Sequence, residues 1–177
     1  MGMQVVADAM VRLERVLRRR PETGLSVDAP VRAFWSGPEA PLGVVCRHPN
    51  GCEVCTDMPA ELGGGGGQVT PGWLYRAGLA SCATTSIALL AAAEGVALTT
   101  LQVEATSRTD ARGLVALEDG EGRVVSPAPV DQRLAIAIGA HDTTPAQLCA
   151  LVERALQRSP IPLAVQANGL AVQVDIA

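Results

Sequence analysis

Thr70-Pro71-Gly72-Trp73-Leu74-Tyr75-Arg76-Ala77-Gly78-Leu79-Ala80-Ser81-Cys82-Ala83 opens the stretch whose reading decides the rest of the chain. Threonine is a good helix N-cap and proline is tolerated at the first helical position, so a long helix is expected from residue 70 to about Glu94, ending at Gly95. Its apolar residues occur on every face, which predicts burial on most sides with Cys82 near the middle. The richest part, residues 77–93, is diluted by Ala, Ser and Thr and closed by Glu94, so it reads as a core helix rather than a membrane span.

Upstream the pattern is that of strands, expected at 31–35, 43–47 and 52–56. His48-Pro49-Asn50-Gly51 lies between the last two, and Asn-Gly is the strongest two-residue hairpin signal. A two-residue turn there places Cys46 opposite Cys55. The glycine run at 63–67 reads as a flexible loop leading to the helix cap. Further upstream, Val6, Met10, Leu13 and Leu17 stand at helical spacing within residues 3–20, and Arg18, Arg19 and Arg20 complement a helix C-terminus before Pro21. Asp8 and Glu14 argue against organelle targeting or membrane-surface binding, which leaves a helix packed on its own domain or on a partner subunit.

Downstream, alternating segments are expected as strands at 101–105, 114–117 and 133–138. A helix follows from Thr144-Pro145 to about Arg158, with Gln147 placed for a capping box. Ser159-Pro160 breaks it, and 170–176 reads as a last strand. This order describes an α+β fold with antiparallel sheet.

Composition removes whole classes of chemistry. All 14 basic residues are arginine, so lysine Schiff bases, pyridoxal-phosphate catalysis and the lysine-bearing phosphate loop are excluded. Two histidines, His48 and His141, cannot form an imidazole cluster, and His141 reads as a solvated loop residue. Four aromatic residues (Phe34, Trp35, Trp73 and Tyr75) and a net charge of −4 argue against nucleic acid as a partner. With no secretory pattern and an odd count of five cysteines, most thiols are expected free and the protein cytoplasmic, with no membrane partner.

Cys82 in its small-residue helix is the first candidate for chemistry, although from these residues alone the stronger reading is that of a small hydrophobe, the usual role of a buried cysteine in an Ala-rich helix. Cys46, His48, Cys52 and Cys55 meet the ligand count for tetrahedral zinc, but strand alternation sends Cys52 and Cys55 to opposite faces, so free or paired thiols rank ahead of a metal. Asp110-Ala111-Arg112-Gly113 reads as a hairpin turn or salt-bridged strand end.

Taken together, Met58-Pro59-Ala60-Glu61-Leu62-Gly63-Gly64, Thr70-Pro71, Leu74 and Ala77-Gly78-Leu79-Ala80-Ser81-Cys82 resemble the OsmC/Ohr family of osmotically inducible and organic-hydroperoxide-resistance proteins. The resemblance runs from about Val31 to the end, leaving residues 1–22 as an amphipathic helix extension and 23–177 as one OsmC-like domain. It implies an intertwined homodimer with two long central helices between antiparallel sheets, active sites at the subunit interface, and no cofactor. The family's peroxidatic cysteine falls on Cys82. Its resolving cysteine, in a Cys-Pro step, falls on Ser159, and its activating Glu, after the helix proline, is Gly72. The turn between the first two strands, which supplies that family's arginine, has none here. Arg32 and Arg47 flank it, and Arg76, Arg108 and Arg112 are the other candidates for favouring the thiolate.

The resulting expectation is a thiol-dependent hydroperoxide reductase of one-cysteine type. Cys82 would be resolved by an external thiol, or by Cys46, Cys52 or Cys55. The alternative is a non-catalytic dimer of the same fold that binds a small apolar ligand around Cys82.

Overall fold

The computed structural model describes residues 2–166, 169 and 171–176. The chain forms two compact units, Glu14–Tyr75 on one side and Met1–Leu13 with Arg76–Ala177 on the other. Helix α1 (Gly2–Arg19) runs through the first boundary and α2 (Pro71–Ala93) through the second. Helix α1 forms over the span its periodicity predicts, with Arg18 and Arg19 in its last turn, and none of its residues is buried.

Within Glu14–Tyr75, β1 (Arg32–Trp35), β2 (Val44–Arg47) and β3 (Glu53–Thr56) make an antiparallel sheet in that order. The hairpin between β2 and β3 does not close by a two-residue turn. His48 N–H donates to the Cys52 carbonyl at 2.9 Å and Gly51 N–H to the His48 carbonyl at 3.0 Å, with Gly51 at φ +92°. This is a three-residue loop ending in a left-handed glycine, and it shifts the register by one. Cys46 therefore stands opposite Val54, and Cys55 opposite Val45. The glycine run is likewise more ordered than its composition suggests, because the Asp57 carboxylate accepts N–H bonds from Met58 at 2.7 Å and Gly65 at 2.8 Å. A Cβ on Gly64 would lie 1.9 Å from the Met58 carbonyl oxygen, so only glycine fits there.

The other unit is built on β4 (Leu98–Arg108), β5 (Val130–Ala140) and β6 (Ala171–Ile176), with β5 in the middle. β4 and β5 are antiparallel, but β6 runs parallel to β5, which corrects the all-antiparallel expectation. The crossover is helical: α3 (Pro145–Leu156) and then α4 (Pro160–Gln166) carry the chain back, as a parallel neighbour requires. Proline at the first position of α4 starts a new helix instead of merely ending the old one. Of the strand expected at 170–176, Leu170 lies outside the described residues. The capping box at Thr144 and Gln147 is present. No strand forms at 114–117; Ala111–Val115 is a 3-10 helix whose N-terminus is capped by the Asp110 side chain. That cap satisfies the backbone locally, where a strand would have needed a neighbour.

The core of this unit follows from alternation. Leu134, Ile136 and Ile138 project from one face of β5, fully buried, into one cluster with Leu79, Ala83 and Ile87 of α2 and Leu148, Leu151 and Val152 of α3. Helix α2 is long and apolar enough to cross a membrane, yet it contributes a buried stripe to this core. That stripe, spaced by three and four residues, is narrower than the expected burial on most sides; Ser81 and Thr85 are exposed. Ile136→Ala, at the centre of the middle strand, is expected to lower stability by about 3 kcal/mol through lost transfer energy and a residual cavity. Thermal unfolding should fall by roughly 6–12 °C for a chain of this size. A loss below about 1 kcal/mol would mean that the cluster is not the core.

Candidate functional site

Cys82 lies half-buried in the second turn after Arg76, one residue before the fully buried Ala83 of the core stripe. Ser159 sits at the junction of α3 and α4. Its N–H donates to the Leu156 carbonyl at 3.1 Å and its carbonyl accepts from Leu163 N–H at 3.0 Å, so the backbone is fixed by both helices. Its side chain is fully buried, and its Oγ lies 3.3 Å from the Cys82 Sγ. The two positions, 77 residues apart in sequence, thus become a contacting pair across two helices. On the same helix, a Cβ built on Gly78 would meet the Ile161 Cδ1 of α4 at 3.9 Å, an ordinary van der Waals contact. A serine hydroxyl at this distance can donate to a thiolate and stabilise its charge.

The arginines are dispersed. Arg108 pairs with Asp131 at 3.3 Å, Arg112 with Asp110 at 2.6 Å, and Arg47 with Glu53 while lying 5.0 Å over the Phe34 ring. Arg32 stands directly opposite Arg47 on the neighbouring strand. Arg76, on the helix of Cys82, donates from Nη1 to Ser107 Oγ at 3.4 Å. Ser107, at the end of β4, was invisible to motif reading because only strand register brings it to Arg76. Among the described residues no guanidinium is hydrogen-bonded to Cys82. Gly72 offers no side chain in the first turn of α2.

All five thiols are free, with Cys46, Cys82 and Cys149 half-buried and Cys52 and Cys55 exposed. Cys46 and Cys55 point to opposite faces of their hairpin, and His48 Nδ1 accepts from Asn50 N–H at 3.1 Å. Among the described residues no group of three or more His, Cys, Asp or Glu side chains could hold a metal, so the zinc arrangement of Cys46, His48, Cys52 and Cys55 does not assemble. His141 is an exposed loop residue, as its setting suggests.

Electrostatic tuning appears instead in the connection from β4 to β5. Backbone N–H groups of Arg123 and Glu121 hold the Asp119 carboxyl below the usual aspartate range, and the Arg112 side chain does the same for Asp110. A carboxyl lowered in the folded state contributes stability that is present above its unfolded pKa and is lost as pH falls through the folded one. Acidification below the ordinary aspartate range should therefore weaken this connection. Carboxyl NMR titration of Asp119 should give a midpoint below that of an unstructured aspartate, and a midpoint at or above it would contradict the hydrogen-bond network.

Residues 64–175 match the family model described as OsmC-like protein, and the chain belongs to the OsmC-like family. Its fold is that of an OsmC-like protein from Mycoplasma pneumoniae, at 14% identity and a TM-score of 0.67 over 86% of this chain and 98% of that one. An organic hydroperoxide resistance protein, OsmC, from Legionella pneumophila matches at 19% identity and 0.61, over 86% and 98%. The organic hydroperoxide resistance protein OhrB of Bacillus subtilis matches at 17% identity and 0.53, over 85% and 98%. At these identities the likeness establishes the fold. No curated protein matches the sequence significantly.

Proposed function

We propose that this protein is a thiol-dependent reductase of organic hydroperoxides, with Cys82 as the peroxidatic residue and Ser159 as its hydrogen-bonding partner. The Cys82 thiolate attacks the distal oxygen of the O–O bond; the bond breaks, the alkoxide leaves and takes a proton to become the alcohol, and Cys82 becomes a sulfenic acid. Because serine cannot form a disulfide, an external thiol condenses with the sulfenic acid and releases water. A second thiol then attacks the mixed disulfide and regenerates Cys82, leaving an oxidised reductant. The observation that carries the reading is the 3.3 Å contact between Cys82 Sγ and the buried Ser159 Oγ, within a chain of the OsmC-like family.

Of the five candidate arginines, Arg76 fits the activating role best, because it shares a helix with Cys82 and is bonded to a neutral hydroxyl rather than to a carboxylate. The working form would be a homodimer of the 23–177 domain, with the helix extension at its N-terminus. The half-buried apolar positions left on α2 beside its core stripe support that assembly. A cytoplasmic setting, where small thiols are kept reduced, suits the external reductant. The absence of a guanidinium on Cys82 among the described residues favours one competing reading, a non-catalytic dimer that holds a small apolar ligand around Cys82.

The test is turnover of tert-butyl hydroperoxide driven by dithiothreitol, with a dione probe for sulfenic acid read by peptide mass spectrometry. Turnover with the adduct on Cys82 is expected. An unlabelled Cys82 with no turnover would replace the enzyme by the ligand-binding dimer.

A further inference from the structure

The β1–β2 face of the first sheet has a feature that the peroxide chemistry does not use. Arg32 and Arg47 are direct cross-strand partners in the antiparallel pair, a placement of like charges that destabilises a sheet. They share a cavity of about 360 Å³ with Phe34, His48, Pro30 and Pro49. Glu53 binds Arg47 at the guanidinium Nε, and among the described residues no other side chain takes that fork's remaining donors. Arg32 has no acidic or hydrogen-bonding partner among the described residues. His48 Nδ1 accepts the Asn50 N–H, so the ring proton sits on Nε2 and provides a third donor. Phe34 remains 44% exposed beside them, and the two prolines add apolar wall.

We infer that this cavity is a binding site for a small monocarboxylate with an apolar body. Its carboxylate would be bridged by Arg32 and Arg47, and its body would rest on Phe34 and the prolines. Planar guanidinium forks match a carboxylate in two-pronged geometry. With Glu53 offsetting one of the two guanidiniums, a single positive charge remains, which suits a monoanion better than a phosphate dianion. Bound ligand would also relieve the repulsion between the two arginines, so the strained pairing and the open cavity have one explanation.

The experiment is a titration of the full-length protein with sodium benzoate, sodium acetate and inorganic phosphate at constant ionic strength, followed by backbone amide shifts and thermal unfolding. Benzoate should saturate shifts at Phe34, Arg47 and His48, and bind at least tenfold more tightly than acetate. Arg32→Gln should weaken benzoate at least tenfold while raising the ligand-free unfolding midpoint, because a repulsive partner is gone. Arg47→Gln should weaken it similarly, which guards against misfolding of either variant. Non-saturating shifts, undiminished benzoate binding by Arg32→Gln, or tighter binding of phosphate than of benzoate would overturn the assignment.

Discussion

On the proposed chemistry, Cys82→Ser is expected to reduce dithiothreitol-driven turnover of an organic hydroperoxide to the uncatalysed background, a fall of about a thousandfold or more, because the substitution would remove the group assigned to form the intermediate. The reaction needs a soft nucleophile that can accept oxygen and return it to a thiol, and a serine hydroxyl can do neither at neutral pH. The fold should tolerate the change. Cys82 is half-buried, and its side chain adjoins the core stripe of Leu79 and Ala83 without belonging to the buried cluster. Unfolding measured beside activity separates the two effects. A variant that folds normally and retains its rate would end the assignment of Cys82.

Ser159→Cys should convert the external-thiol cycle into an internal one. The present Oγ is 3.3 Å from Cys82 Sγ, so a thiol at this position starts within side-chain reach of the roughly 2.05 Å of a disulfide. After one equivalent of hydroperoxide, the introduced thiol would attack the Cys82 sulfenic acid, water would leave, and a disulfide would form between the two helices. Because the attacking thiol is already held in place, sulfenic acid should disappear about a hundredfold faster than through external thiol. Peptide mapping would locate the new bond, and the wild type would keep its sulfenic acid under the same treatment. If that acid persists in the variant, the two side chains do not meet in solution as they do in the structure.

Much of the fold was legible because it rests on local signals. Helix α2 begins at its threonine-proline cap, with Trp73 N–H on Thr70 Oγ1 at 3.1 Å, and α3 begins at its capping box. The errors fell where local signals were weak or ambiguous. One residue of hairpin loop separated a Cys46 and Cys55 pairing from the observed register, and an Asn-Gly step permits either loop. Residues 114–117 alternate like a strand but join no sheet, Leu117 alone accepting a bond from Val125 N–H at 2.9 Å, and the Asp110 cap wins locally. The direction of β6 could not be read because it depends on the path by which α3 and α4 together carry the chain back from β5.

The opening helix shows where the two kinds of information divide. Its span, its apolar character and the cysteine near its middle are matters of capping, propensity and composition, all of them local, so residues 70–95 alone settle them. Which of its faces is buried, and what stands beside Cys82, depend on β5, α3 and α4, far along the chain. Ser159 reaches the thiol because β5 sets the core against which α2, α3 and α4 pack, while Arg47, Arg108 and Arg112 are drawn to nearby carboxylates and strand register sets Arg32 opposite Arg47. Packing is a non-local sum over many weak contacts, so no single segment carries it.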